Sequence, residues 1–137
     1  MTNELKVFTL EEAEHLIPIL TDFLAELRKK RNEINDLEVE IDALELISGS
    51  QSRASVKDLN LLIATHQKVV GEFYVLVDQI HAQRCFLKDV DMGLIDFYGV
   101  MDGRVVYFCW KLGEERIDFW HEVGQGYGTR QPLSRQI

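Results

Sequence analysis

The side chains best suited to chemistry lie in the C-terminal third of the chain. Asp96, Cys109 and Asp118 are spaced so that they fall in one row across three neighbouring strands of a predicted antiparallel sheet, and His121 follows closely. Thiolate, imidazole and carboxylate ligands together favour zinc, which keeps three protein ligands and one open position in its catalytic sites. We therefore predict Cys109, Asp118 and His121 as candidate ligands of a divalent metal such as zinc.

Other interpretations of the same residues stay open. In the predicted register His121 faces away from Cys109, so a bulge near the strand end is needed to bring the two together. Cys109 also fits the role of a small buried side chain. In that case the two aspartates pair with nearby cations: Arg104, Lys111 or Arg116. A Cys109 nucleophile with His121 as its base is a further alternative, which requires an exposed and electropositive setting.

A glycine-rich segment follows the predicted sheet and ends with a cation. Gly124, Gly126 and Gly128 alternate, and Arg130 comes two residues later. The run has the look of an anion-binding loop, but such loops open a helix, whereas Pro132 and no helical pattern follow here. The glycines more simply let the tail fold back on the sheet. If a small ligand binds, polar groups in a loop beside a rigid sheet are its predicted contacts: His121, Glu122, Arg130 and Asp96.

The first two thirds of the chain predict two long helices. Thr9 and Glu12 form a capping box at the first helix start. Apolar residues then recur in a heptad pattern: Ala13, Leu20, Leu27, Ile34 and Ile41, with Leu16, Phe23, Leu37 and Leu44 between them. Pro18 predicts a kink in this helix or a restart between Leu16 and Leu20. The helix spans residues 8–47, and a short serine-rich loop makes the next helix, over residues 53–84, antiparallel to it.

The second predicted helix carries more apolar surface than one neighbour can cover. It has a second stripe, formed by Ile63, Val70 and Val77, besides its main apolar seam of Leu59, Leu62, Val69, Phe73, Leu76 and Ile80. A helix with a wide apolar face needs more than one partner surface. We therefore predict that the chain is a homodimer.

Two carboxylate-x-x-histidine pairs, Glu12 with His15 and Asp78 with His81, are typical of di-metal bundles, but they point away from the seam.

From Gly93 the sequence alternates with a period of two, which predicts a three-stranded antiparallel β-meander over residues 93–122 and a glycine-rich tail over residues 123–137. Asp102 and Gly103 mark the first turn. The predicted pairs include Val100 with Val105, Tyr98 with Tyr107, Phe97 with Phe108, Asp96 with Cys109, Ile95 with Trp110, Trp110 with Ile117, Cys109 with Asp118, Phe108 with Phe119, and Tyr107 with Trp120. One face is then wholly apolar: Ile95, Phe97, Phe108, Trp110, Ile117 and Phe119.

Composition limits the classes of partner. The 137 residues include 23 acidic and 15 basic side chains, for a net charge of −8. Such a surface repels the phosphate backbone, so we expect no nucleic-acid binding. No apolar stretch is long enough to cross a bilayer, and no signal-peptide pattern opens the sequence. The two cysteines lack the spacing of a disulfide framework. We expect a single cytoplasmic domain, residues 1–137, of the α+β class, with the helical hairpin packed on the meander.

Three segments resemble an uncharacterised bacterial family, domain of unknown function family 2203. They are the stretch from Phe8 to Pro18, the stretch from Lys88 to Phe97, and the most specific one, from Cys109 through Trp120 to Pro132. The sequence departs from the family pattern at Tyr98, where proline is commoner, and at Cys85, where glycine is commoner. The resemblance supports the architecture. It implies no activity, cofactor or ligand.

The favoured interpretation is a non-enzymatic interaction protein that forms a homodimer through the second apolar stripe. The alternative is a metal- or small-ligand-binding protein, which includes an enzyme, with its site on the sheet face and the glycine-rich tail. The density of polar groups in the last third of the chain motivates this alternative.

Overall fold

The computed structural model describes residues 5–47 and 53–134. Three helices precede the sheet: α1 (Leu10–His15), α2 (Ile17–Ile47) and α3 (Arg53–His81). The strands are β1 (Phe86–Asp89), β2 (Leu94–Met101), β3 (Arg104–Lys111), β4 (Phe119–His121) and β5 (Gln131–Pro132). The predicted α+β class is confirmed. The predicted loop between the long helices lies outside the described residues.

The first helix starts as predicted. Thr9 Oγ1 accepts a hydrogen bond from the Glu12 amide at 3.1 Å, and Glu12 Oε1 accepts one from the Thr9 amide at 2.9 Å. This is the capping box, which satisfies amides that have no helical partner. Helix α1 ends at His15, and α2 begins at Ile17. Pro18 therefore lies in the first turn of α2, where its missing N–H removes no helical hydrogen bond.

The sheet has more strands than the sequence predicts. Within the described residues it has five, all antiparallel to their neighbours and in the order β1-β2-β3-β4-β5. The three-stranded prediction is wrong because it omits both edges. Strand β1 precedes the turn at Gly93, and its register is interrupted between Leu87 and Asp89. Strand β5 is two residues long and contains Pro132, which an edge strand tolerates.

The pairing of β2 with β3 is as predicted. Asp102 and Gly103 form the turn with φ values of 51° and 77°, and Asp96 lies opposite Cys109. Residues directly opposite each other share a face of the sheet. The β2 and β3 residues of the apolar face are all buried: Ile95, Phe97, Phe108 and Trp110.

The predicted register of the third strand of the meander is wrong by one residue. Cys109 pairs with Phe119 and Tyr107 pairs with His121, so Cys109 does not pair with Asp118. The connection after β3 explains the shift. The Ile117 amide donates to Glu14 Oε2 at 2.8 Å instead of pairing with β3.

The shift reverses the face of every β4 side chain. Phe119 and His121 lie on the Cys109 face, and Trp120 lies on the Phe108 face. The assignments of Phe119 to the apolar face and of Trp120 to the Cys109 face are therefore wrong.

The chain divides into two compact units, one of residues 1–25 with 77–137 and the other of residues 26–76. In the first unit, α1, the start of α2 and the end of α3 contribute buried apolar side chains, and so does the sheet. Phe8 packs edge-on against Phe97 with ring centroids 5.2 Å apart, and the Phe8 amide donates to the Tyr98 carbonyl at 2.7 Å.

The second unit contains parts of α2 and α3. Two ion pairs join these helices: Lys30 Nζ to Glu72 Oε1 and His66 Nε2 to Glu38 Oε2, each at 3.2 Å. Lys30 comes before Glu38 on α2, whereas its partner Glu72 comes after His66 on α3, so the two helices run antiparallel. No helix in the described part of the chain has the length and apolar character of a membrane span.

Candidate metal centre

Three neighbouring strands each contribute one polar side chain to a single cluster. Asp96 comes from β2, Cys109 from β3 and His121 from β4, and all three are buried. Their potential ligand atoms lie within 4.8 Å of one another, and this is the one such group of three in the described residues. We call these residues the triad. Period-two alternation places them on one face, because Asp96 lies opposite Cys109 while His121 lies opposite Tyr107, two residues away on β3.

The imidazole of His121 is held at both ring nitrogens. Nδ1 lies 2.9 Å from the Glu122 carbonyl oxygen, and Nε2 lies 2.9 Å from Asp96 Oδ2. A carbonyl oxygen only accepts hydrogen bonds, so Nδ1 carries the hydrogen. Nε2 and Oδ2 then share one further proton. When that proton leaves, Nε2 presents a lone pair, which is the arrangement of metal-binding histidines whose other N–H is bound to a carbonyl.

The Asp96 carboxyl group is only partly satisfied. Its side chain is 3% exposed, and its buried Oδ1 has no partner in good hydrogen-bonding geometry among the described residues, although the nearby Cys109 thiol lowers the Asp96 pKa. Burial raises the pKa of Asp96, while His121 opposes this shift. A buried carboxylate oxygen without a donor is costly, and its presence in a folded protein calls for an explanation such as an ion.

Cys109 is a thiol rather than a thiolate in this arrangement. Burial raises its pKa to about 12, the charge of Asp96 adds to the rise, and the Arg130 guanidinium opposes it. The nucleophilic role needs a thiolate near neutral pH, and the near nitrogen of His121 is directed at Asp96 instead of at the sulfur. The structure therefore disfavours a Cys109 nucleophile. A bound cation would deprotonate the thiol, because metal ligands must be thiolates.

Arg130 lies beside the triad and is held there. Its guanidinium stacks 3.9 Å above the Phe119 ring and 4.5 Å from the Tyr127 ring, and it pairs with Glu114 at 2.9 Å. The Arg130 side chain is only 13% exposed. The glycine-rich segment thus folds back on the sheet, and the Leu133 amide closes it by donating to the Asp118 carbonyl at 2.7 Å.

A second cation approaches from the opposite edge of the sheet. Lys88 lies where the register of β1 and β2 is interrupted, and its Nζ is 4.7 Å from the centre of the Tyr107 ring. The Lys88 charge lowers the pKa of Asp96. Tyr107 stacks on Tyr98 with centroids 4.9 Å apart and lies 5.3 Å from the His121 ring. Tyr107 therefore packs against one side of the His121 ring.

The residues predicted from the sequence as site residues separate into two groups. Asp96, Cys109 and His121 come together, and Arg130 is adjacent. Asp118 and Glu122 do not join them. Asp118 pairs with Arg116 at 2.9 Å, because the one-residue register shift moves it off the row of Cys109.

Glu122 is the next residue after His121 and points to the other side, where it pairs with Arg104. Glu114 and Lys88 are the two charged neighbours of the site that the sequence analysis did not place there. Glu114 lies 16 residues before its partner Arg130, so no local pattern pairs the two.

The triad fits a zinc-type ion. Zinc binds sulfur at about 2.3 Å and nitrogen or oxygen at about 2.1 Å, which puts tetrahedral ligand atoms about 3.4 to 3.6 Å apart. The His121 and Asp96 atoms are 2.9 Å apart and the whole set spans no more than 4.8 Å. The three potential ligand atoms therefore lie at separations close to those of a tetrahedral zinc site.

No curated protein and no solved structure is significantly similar to this chain. One family model matches residues 6–133, a range that contains α1, α2, α3, all five strands and the triad. The chain therefore belongs to the family of uncharacterised conserved proteins DUF2203.

Proposed function

We propose that this protein binds one divalent metal ion, zinc by ligand preference, through Asp96, Cys109 and His121. The observation that supports this most is the convergence of three different, buried metal-binding groups from three strands within 4.8 Å. Cysteine and histidine together select zinc over magnesium or calcium, which prefer oxygen ligands. Three protein ligands with an open fourth position are typical of sites that bind or activate a small ligand rather than of closed structural sites.

The surroundings of the triad support the same proposal. The Glu122 carbonyl fixes the His121 tautomer that leaves Nε2 to bind a metal. The free Oδ1 of Asp96 supplies a further oxygen. With zinc bound, the charges of the ion, the Asp96 carboxylate and the Cys109 thiolate cancel, so the buried site becomes neutral. Neutrality removes much of the cost of burying charged groups.

Cobalt titration tests the proposal directly. Protein stripped with a chelator is titrated with Co²⁺ while thiolate-to-cobalt charge-transfer absorption is recorded. We expect saturation at one equivalent and competition by Zn²⁺. Cys109→Ser is expected to abolish the charge-transfer band, and His121→Asn to weaken binding by at least tenfold. Elemental analysis of protein purified without chelator checks which ion is bound.

Two variants serve as controls. Cys85→Ser removes the other buried thiol, and Asp118→Asn removes the carboxylate that the sequence pattern favours. Both are expected to bind Co²⁺ as the unmodified protein does. A charge-transfer band that persists in Cys109→Ser, or no band at stoichiometric Co²⁺, would show that the triad is not a metal site.

A homodimer is a second candidate, carried by a separate observation in residues 26–76. We propose that a second copy of the chain covers the apolar stripe of α3. Within this unit the predicted stripe contributes Ile63 and Val70, and Val56 and Tyr74 extend the same helix face. Val56, Ile63 and Tyr74 are 50%, 37% and 60% exposed. Spacings of seven and four keep these side chains on one helix face. Such spacing is typical of helices that pack on an antiparallel or parallel partner helix.

Light scattering coupled to size exclusion measures the mass. We expect twice the chain mass of 15.9 kDa at micromolar concentration, and the monomer mass for Ile63→Glu. Thr65→Glu adds the same charge to an exposed position two residues away, which does not share the Ile63 face, and is expected to leave the dimer intact. A monomeric unmodified protein would exclude this candidate.

A further inference from the structure

A cavity in the first compact unit is separate from the triad. Its volume is about 390 Å³, within the range of about 300 to 1,000 Å³ that is typical of small-molecule sites. The N-terminal segment, helix α1 and the residues that follow α3 supply its walls. Its lining includes charged, polar and apolar side chains: Lys6, Phe8, Glu12, His15, Leu16 and Arg84.

Arg84 has a backbone conformation that arginine disfavours. Its φ is +67°, in the left-handed region that glycine adopts without steric cost. The position follows the end of α3, where the amides of Gln83 and Arg84 donate to the carbonyls of Ile80 and His81 at 3.0 and 2.9 Å. Helices commonly place glycine at this position. An arginine at this position costs stability relative to glycine, which favours a functional role for its side chain.

The cavity wall carries one uncompensated positive charge. Lys6 Nζ lies 3.2 Å from Glu12 Oε2, so these two charges offset each other. Arg84 has no ion-pair partner among the residues that the structure describes. The chain as a whole has a net charge of −8, and the Arg84 side chain is exposed, so its guanidinium is accessible to an anion in solution. Among the side chains that line the cavity, Arg84 would therefore attract an anion most strongly.

The same cavity also has an apolar side chain with exposed surface. Leu16 lines it and is half-buried, whereas Phe8, which also lines it, is only 4% exposed and has the Lys6 ammonium 5.0 Å from the centre of its ring. We propose that this cavity binds a small amphiphilic anion: a carboxylate whose head group pairs with Arg84 and whose short hydrocarbon chain lies on Leu16. The planar guanidinium suits a carboxylate because it donates two parallel hydrogen bonds. This site needs no metal and does not depend on the function proposed above.

Calorimetric titration with hexanoate tests the proposal, with acetate and hexan-1-ol as companions. Hexanoate is expected to bind saturably and more tightly than acetate, by up to about fourfold for each methylene that is buried. Hexan-1-ol has the chain without the charge and is expected to bind at least tenfold more weakly than hexanoate. Equal affinities for hexanoate and hexan-1-ol, or no saturable hexanoate binding, would overturn the proposal.

Arg84→Gly separates binding from folding. Glycine relieves the strained backbone, so the thermal unfolding midpoint is expected to rise while hexanoate affinity falls at least tenfold. Arg84→Lys keeps the charge but loses the two parallel hydrogen bonds of the guanidinium, so its hexanoate affinity is expected to lie between those of the unmodified protein and Arg84→Gly. Lys68→Gln removes a lysine from the other compact unit and controls for net charge. Hexanoate affinity in Arg84→Gly equal to that of the unmodified protein would overturn the proposal.

Discussion

At the scale of single residues, the Asp96–His121 pair places two ionisable side chains in the buried interior. Both side chains are at most 3% exposed, and their nearest atoms are 2.9 Å apart. A buried ion pair gains little over apolar groups, but the loss of one partner leaves a charge without compensation. The loss of one partner is therefore expected to cost more stability than the intact pair contributes.

His121→Ala tests this consequence. In the presence of a chelator, the free energy of unfolding is expected to fall by about 3 to 5 kcal/mol, because Asp96 is left buried without its partner. Urea denaturation at neutral pH measures the change. The double variant Asp96→Asn/His121→Ala is expected to lose less than the sum of the two single variants, since no buried carboxylate remains. A loss below about 1 kcal/mol in His121→Ala would contradict this account.

Cys85 gives a pH dependence that does not involve the triad. Burial raises its pKa from 9.0 to about 12, and its thiol donates to the Ile80 carbonyl at 3.4 Å. Between these pH values the unfolded chain loses the thiol proton while the folded chain keeps it. Stability therefore falls as pH rises, by about 1.4 kcal/mol per pH unit at most for this group.

The measurement compares urea denaturation of the unmodified protein with that of Cys85→Ser between pH 9 and pH 11. Other groups titrate in this range in both proteins, so the difference between the two slopes isolates Cys85. We expect the stability of the variant to fall less steeply. Parallel slopes would mean that the thiol ionises alike in the folded and unfolded states.

At the scale of elements, two glycines show how differently one substitution acts in a helix and in the sheet. A Cβ atom on Gly99 in β2 would lie 2.2 Å from Phe108 Cε2, whereas one on Gly71 in α3 would meet nothing within 4 Å. Gly99→Ala is expected to destabilise the protein by about 1 to 3 kcal/mol through overpacking. Gly71→Ala is expected to stabilise it by up to about 1 kcal/mol, because glycine is a poor helix former.

Urea midpoints of the two alanine variants check this difference in sign. The double variant Gly99→Ala/Phe108→Leu is expected to recover part of the loss, because the smaller side chain clears the added methyl group. If Gly99→Ala were as stable as the unmodified protein, the Phe108 ring could move at little cost. The close approach of Phe108 to the β2 backbone would then not constrain the sheet.

The elements that could be predicted from the sequence are those that are specified by residues close together in the chain. The capping box of Thr9 and Glu12 and the turn of Asp102 and Gly103 depend on neighbouring residues, and both are present. The register of β4 depends on Glu14, which is far away in sequence and takes the Ile117 amide. No local pattern contains that contact. Strand β5 has two residues and a proline, too little for a period of two to be detected.

The same limit applies to the candidate site. Asp96 and Cys109 could be placed together because the turn fixes their register. His121 could not, because a shift of one residue moves it to the other face. Its membership of the triad follows from a contact made by helix α1, so the composition of the site depends on the packing of the first unit.

At the scale of the whole molecule, the proposed ion is expected to contribute to stability. A ligand that binds only the folded state stabilises it by about 4 kcal/mol at a concentration of 1,000 times its dissociation constant. The thermal midpoint is therefore expected to rise with added Zn²⁺ and to fall with chelator, and scanning calorimetry measures both. Cys109→Ser should show neither change. If neither Zn²⁺ nor chelator changed the thermal midpoint of the unmodified protein, that result would contradict the proposed metal site.

The origin of the triad in three consecutive strands links the proposed metal binding to assembly of the sheet. A chain whose β2, β3 and β4 have not yet paired has no such cluster, so the proposed ion would bind only after these strands have paired. Its binding free energy would then favour the paired strands over the unpaired chain.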